Sequence, residues 1–281
     1  MSVVLALVAA ASWGTSDFLG GLAGRRRADE VTVSFGAQVV GLVGFALLAL
    51  LLPGGELAAG DLPLAAGAGV AGAVGVTLLY RGLTVGTMGV VAPITGAGAA
   101  TIPVLWGATR GEVPGPVGWV GIVAAIAAIV LVSRTPAPAD GTPPARTAGL
   151  WEAVGSGLGF GAVFVLLDAL SVGSGLLALV PMKLVAALLL GVLLLARRVP
   201  AVPPAGARLP LLGVGVLDNA ANLAYLFATR AGLLAAVAVI SSLYPVGTVL
   251  LARRVLGEHL TRTQVAGLGL ALTGVVLLAV G

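Results

Sequence analysis

The chain has 281 residues, of which 59% are hydrophobic and 9% charged, and its mean hydropathy is +1.12. A soluble domain carries about 25% charged residues, so a water-soluble enzyme of this length is excluded and an integral membrane protein is indicated. The net charge of +4 rests on few ionisable groups and gives no basis for nucleic-acid binding, and the absence of cysteine removes disulfides, thiolate chemistry and Cys-based metal sites.

A helix that crosses the hydrocarbon core needs about 20 mostly apolar residues. Divided at charged or Gly/Pro-rich breaks, the chain predicts ten such helices, at about 3–23, 31–52, 62–83, 87–109, 115–133, 149–171, 174–196, 208–229, 232–252 and 263–280. None shows the period-2 alternation of a barrel strand. The first segment has neither a basic leader nor a small-residue cleavage site, so it is expected to stay as a span. The third-to-fourth and eighth-to-ninth breaks are the weakest, because apolar sequence nearly runs through them. The longest polar stretch, Ser133 through Thr147, is rich in Pro and Ala and reads as an extended linker. The expected organisation is a five-helix unit over 1–133, a linker over 134–148 and a second five-helix unit over 149–281.

The two halves repeat. Gly111-Glu112 is followed by Gly121, and Gly257-Glu258 is followed at the same distance by Gly267. This register pairs Val91 with Val237 and Ile94 with Ile240. An odd number of helices per half sends the second copy into the membrane from the opposite side, which makes an inverted repeat. The arginines agree. Arg25, Arg26, Arg27, Arg81, Arg134, Arg146, Arg197, Arg198, Arg208, Arg253, Arg254 and Arg262 fall on one side, and only Arg110 and Arg230 on the other. Cytoplasmic loops carry the excess of Lys and Arg, so this count puts both termini outside.

Ionisable residues inside a span are costly and normally face a bundle interior or a watery cavity. In the eighth span Asp218, Asn222, Tyr225 and Thr229 fall at i, i+4, i+7 and i+11, one face of a helix. Asn219 lies about 100° round from it. The stripe reads as a cavity wall or as a hydrogen-bonded seam between helices. Lys183, the only lysine, sits within the seventh span, suited to pair with Asp218 or Asp17 or to contact an anionic substrate group. Asp17 shares a face with Trp13 and Gly20, as a pathway group or as an interfacial cap for the Arg25 cluster. Asp168 reads as interfacial. In the ninth span Ser241, Tyr244 and Thr248 share a face, and Pro245 frees a carbonyl and favours a bend. That is a candidate gate; the alternative is that the hydroxyls bond their own helix carbonyls. Ser34, Gln38, Tyr80 and Arg81 are weaker candidates. Gly89 to Pro103 reads as close helix packing. Glu258 is expected to cap the last helix or pair with an arginine. His259 stands without a second ligand, so no metal and no cofactor are expected.

These residues resemble the drug/metabolite transporter superfamily, in particular its EamA-type ten-helix members. The matching pieces are Ala11-Ser12-Trp13-Gly14-Thr15-Ser16-Asp17-Phe18 and the stretch from Ser241-Ser242-Leu243-Tyr244-Pro245 through Leu256-Gly257-Glu258-His259-Leu260-Thr261 to Gln264, Gly267 and Gly274. Three features depart from the family pattern. His259 stands where Arg or Lys is usual, Ala99 stands where the first-half motif has proline, and the family's termini are generally cytoplasmic. The resemblance implies an all-α integral membrane fold with ten transmembrane helices as two inverted five-helix repeats around a central cavity. It also implies secondary transport of small organic molecules such as amino acids, amines or drugs, with the fifth and tenth spans peripheral.

The expected function is a secondary active exporter of such metabolites, working by alternating access in the bacterial inner membrane. Its partners would be a small-molecule substrate and the lipid bilayer, with proton coupling as the candidate drive and a monomer or homodimer as the unit. The candidate substrate or coupling residues are Asp218, Asn222, Tyr225, Lys183, Trp13, Asp17, Tyr80, Tyr244, Ser241 and Gln38, with Asp218 as the coupling carboxylate. The alternatives are a passive channel or facilitator and an intramembrane lipid-modifying enzyme. The acids do not cluster within a span as a magnesium–diphosphate site would require, and no Gly-x-x-x-x-Gly-Lys phosphate loop is present.

Overall fold

The computed structural model describes residues 2–51, 54–109, 115–132, 148–171, 173–231, 241, 244–258 and 261–280. Among them are α-helices and one short 3-10 turn, and no strands. The first half holds α1 (Ser2–Arg25), α2 (Glu30–Leu51), α3 (Asp61–Val85), α4 (Met88–Thr109) and α5 (Pro116–Val132). The second holds α6 (Leu150–Asp168), α7 (Leu179–Arg197), α8 (Ala205–Ala231), α9 (Tyr244–Leu256) and α10 (Arg262–Val280). Helices satisfy their own backbone groups, which is what lipid demands. Among the described residues five apolar stretches reach membrane-spanning length, namely Ser2–Arg25, Glu30–Leu51, Asp61–Val85, Leu150–Leu167 and Gly175–Arg197, and shorter apolar helices accompany them. Large aliphatic side chains stand outward where lipid would meet them, with Leu195 81%, Leu50 79% and Leu209 78% exposed.

The weak third-to-fourth break is real, at Gly86-Thr87. The weak eighth-to-ninth break and the start of the ninth span lie outside the described residues, as do Arg110, Arg134, Arg146 and His259. The sixth helix stops at Asp168, short of the expected 171, because the chain leaves it to meet Asp61. The Asp61 carboxylate accepts the Ser171 N–H at 3.0 Å and the Ser171 hydroxyl at 2.5 Å. A 3-10 turn, Gly175–Ala178, then leads into α7.

Packing follows an internal exchange of halves. Helices α1 and α8 run antiparallel: Leu5 clusters with Tyr225, the Ser16 hydroxyl donates to the Val214 carbonyl at 3.3 Å, and Arg26 donates to the Gly206 carbonyl at 2.9 Å. Their counterparts α6 and α3 do the same, with Leu166 over Gly67, Phe160 over Gly75 and Glu152 over Gly82. Helix α4 lies parallel to α6, where Gly98 meets Gly157 and Gly161 meets Ile102; in the same sense α9 lies parallel to α1, where Gly247 and Thr248 meet Gly14. The pairs α2·α7 and α5·α10 map onto themselves under the exchange. Since α1 opposes α8 as α6 opposes α3, the halves are inverted with respect to each other. Helices α5 and α10 pack on each other and on α4, beside the bundle formed by the rest.

The arginine-rich ends meet on one face. Arg25 pairs with Glu258 at 2.6 Å, Arg81 with Glu152 at 3.2 Å, and Arg197 with Glu30 at 3.6 Å. Glu258 also accepts the N–H groups of Met88 and Gly89, each at 3.3 Å. It therefore caps α4 and binds an arginine of α1. The expected cap on the last helix is not what the carboxylate makes, because the positive φ of 67° at Gly257 turns the chain back across the bundle end.

Candidate functional site

Polar groups from both halves converge inside the bundle. Lys183 of α7 is 3% exposed, and its Nζ lies 2.9 Å from Asp218 Oδ2 on α8. Asn222, one turn on, donates to the same carboxylate oxygen at 3.2 Å and to the Asp218 carbonyl at 2.7 Å. Asn219 points away from that face, as its angular position predicts. It donates back to the Gly215 carbonyl, and its side chain lies against Gly41 of α2 beside the Lys183 stem. A methyl at Gly41 would stand about 2.6 Å from Asn219 Oδ1, so the Asn219 side chain would have to shift to admit it. Gln38 lies one turn before Gly41 on the buried stripe of α2.

Aromatic rings stand on one side of the pair. Trp13 of α1 and Tyr225 of α8 have ring centroids 5.6 Å apart, and Phe164 of α6 stands 6.5 Å from Tyr225. On the other side, toward the arginine-rich face, lies a more buried layer. Tyr80 lies over Gly20 and is hydrogen-bonded with Ser16. Asp17 is 8% exposed and lies within electrostatic range of Asp218, Tyr80 and Tyr244. The Tyr244 hydroxyl, close to Gly96, has no hydrogen-bond partner among the described residues; nor have the Ser241 hydroxyl and Asn219 Oδ1. Ser241 is buried but is not brought against the pair.

The Thr248 hydroxyl donates across to the Gly14 carbonyl at 3.0 Å instead of bonding its own helix. Thr15, Thr77 and Thr101 keep to their own helices, bonding the carbonyl four residues back. The side chains of Thr229 and Asp168 lie outside the described residues. Phe164 is not among the expected site residues, since an apolar ring in an apolar helix carries no signal of its own; Ser16 lies in the matching piece of α1 but is given no role of its own by the sequence.

The EamA-like transporter family model matches residues 1–134 and again 147–280. The chain belongs to the EamA-like transporter family. It is therefore a multi-pass membrane protein of a family of transporters. A solved structure titled only "Crystal structure of protein" is similar over 99% of this chain and 96% of its own, with a TM-score of 0.62 at 15% identity, which shows a shared fold. No curated protein matches the sequence.

Proposed function

We propose that this EamA-family chain is a secondary active exporter of small organic metabolites, among them amino acids, amines or drug-like molecules. It would work by alternating access of ten spans, arranged as the inverted units 1–133 and 149–281 with 134–148 as linker, in the bacterial inner membrane. The observation that carries the reading is the Lys183–Asp218 pair. A buried ion pair is poor value as a stabilising device, since two apolar side chains of similar volume stabilise as well or better. Its place among Asn222, Trp13 and Tyr225, on helices of both halves, suits a site that a solute enters. A solute bearing a carboxylate and an ammonium can exchange into both ends of the pair, and the nearby rings suit an ammonium through cation–π attraction.

The test is reconstitution into proteoliposomes. Accumulation of members of a metabolite panel should follow an imposed proton gradient and be lost in Asp218→Asn. Equilibration without accumulation would instead identify a passive facilitator.

A further inference from the structure

Among the described residues the middle of the bundle holds Asp17, Asp218 and Lys183, and the lysine is committed to one of the two acids. Lys183 donates to Asp218, and Asn222 supports that carboxylate with a second hydrogen bond. Asp17 has neither a hydrogen bond nor an ion pair among the described residues, although it is the less exposed of the two carboxylates. The Ser16–Val214 hydrogen bond sets Asp17 one turn of α8 nearer the arginine-rich face than Asp218. The groups that face it are Asp218 from α8, Tyr80 from α3 and Tyr244 from α9, an acid and two phenols. None can neutralise a carboxylate. Its neighbour Ser16 is turned to Tyr80 and Val214, and Arg25 of its own helix is held by Glu258 and the Gly86 carbonyl. An isolated carboxylate in such surroundings takes up a proton rather than remain charged.

We propose that Asp17 carries one exchangeable proton while Lys183 stays paired with the Asp218 carboxylate, so that the two acids and the single lysine are neutral together. The proposal deepens the transporter reading, in which that proton is the one exchanged for solute. Proton uptake converts the Asp17 carboxylate to the acid, and release returns it to water.

Infrared titration of the full chain in lipid nanodiscs tests this without a substrate. At neutral pH the wild type should show the carbonyl stretch of a protonated carboxylic acid, shifted on deuteration. The band should be absent from Asp17→Asn and displaced in Asp17→Glu. Absence of the band in the wild type, which depends on no variant folding, would overturn the proposal; so would its persistence in Asp17→Asn. A band that behaves as expected in a protein that no proton gradient drives would refute the coupled-transport reading and leave the proton site standing.

Discussion

Lys183 meets Asp218 at 2.9 Å with the burden of burial divided unequally: the lysine side chain is 3% exposed and the aspartate 25%. Removing the aspartate strands a buried ammonium, which costs about 3 kcal/mol or more. Removing the lysine leaves a carboxylate that still reaches water and keeps Asn222. Asp218→Asn should therefore destabilise the protein more than Lys183→Met does, and the double variant should recover part of the loss. Unfolding of the purified variants in one detergent checks the order. Equal or reversed losses would show that the ammonium finds another partner.

Arg25, Glu258 and the first N–H groups of α4 form a latch between α1, α4 and the α9–α10 connection on the arginine-rich face. Arg25 is on α1, the N–H groups on α4 and Glu258 on the α9–α10 connection, so separating these elements breaks several charge-assisted bonds together. A half-exposed pair of this kind is worth about 1 kcal/mol, or a factor of about five in an opening equilibrium. Glu258→Gln should raise the labelling rate of a cysteine placed at Thr248, approached from this face, by about that factor. The cysteine-free chain makes the measurement direct. An unchanged rate would mean that the latch does not hold this face shut.

Much of this arrangement was legible in the sequence, and particular residues show why the rest was not. The Asp218, Asn222, Tyr225 face followed from helical periodicity, and the shared side of Arg25, Arg26, Arg81 and Arg197 followed from counting helices. The partner of Lys183 stayed open between Asp17 and Asp218, since spacing along one helix says nothing about which other helix lies opposite. The Lys183 stem and Asn219 also pack against α2 at Gly41, a contact that spacing along one helix does not reveal. Internal symmetry did not help either. The register that matches Glu112 with Glu258 puts Gly72 opposite Asp218 and Ala37 opposite Lys183, so the polar groups occur once while the scaffold occurs twice. Glu258 pairs with an arginine, one of its two expected roles, but which arginine was not legible: Arg254 and Arg262 are its neighbours in sequence, whereas its partner Arg25 is 233 residues away.

Gly14 is a contact between backbones. A methyl there would collide with the Tyr244 carbonyl and stand 3.1 Å from the Gly247 Cα. Neither atom belongs to a flexible side chain, so α1 and α9 would have to separate and the Thr248–Gly14 hydrogen bond would lengthen. Gly14→Ala should cost about 1–3 kcal/mol by overpacking. Gly44→Ala, on α2 with nothing within 4 Å of the added methyl, should be neutral or slightly stabilising. Parallel thermal denaturation of the two variants checks the contrast, and equal melting temperatures would count against the close α1–α9 approach.

The clustering of arginines makes a prediction about sidedness that conflicts with the usual orientation of the family. Arg25, Arg26, Arg81 and Arg197 meet Glu30, Glu152, Glu258 and the Gly206 carbonyl at one end of the bundle. At the opposite end the ties are the Asp61–Ser171 bonds and the Glu56 N–H to the Gly173 carbonyl at 3.1 Å, with no arginine taking part in them. Positive residues are retained on the cytoplasmic side during insertion, and pairing with glutamate after folding does not undo that bias. A cysteine at Ala201, in the connection that follows Arg198, should therefore react with a membrane-impermeant maleimide only after cells are permeabilised. A cysteine at Glu56 should react in intact cells. The reverse pattern would place both termini in the cytoplasm and show that the loop charges do not set the topology of this chain.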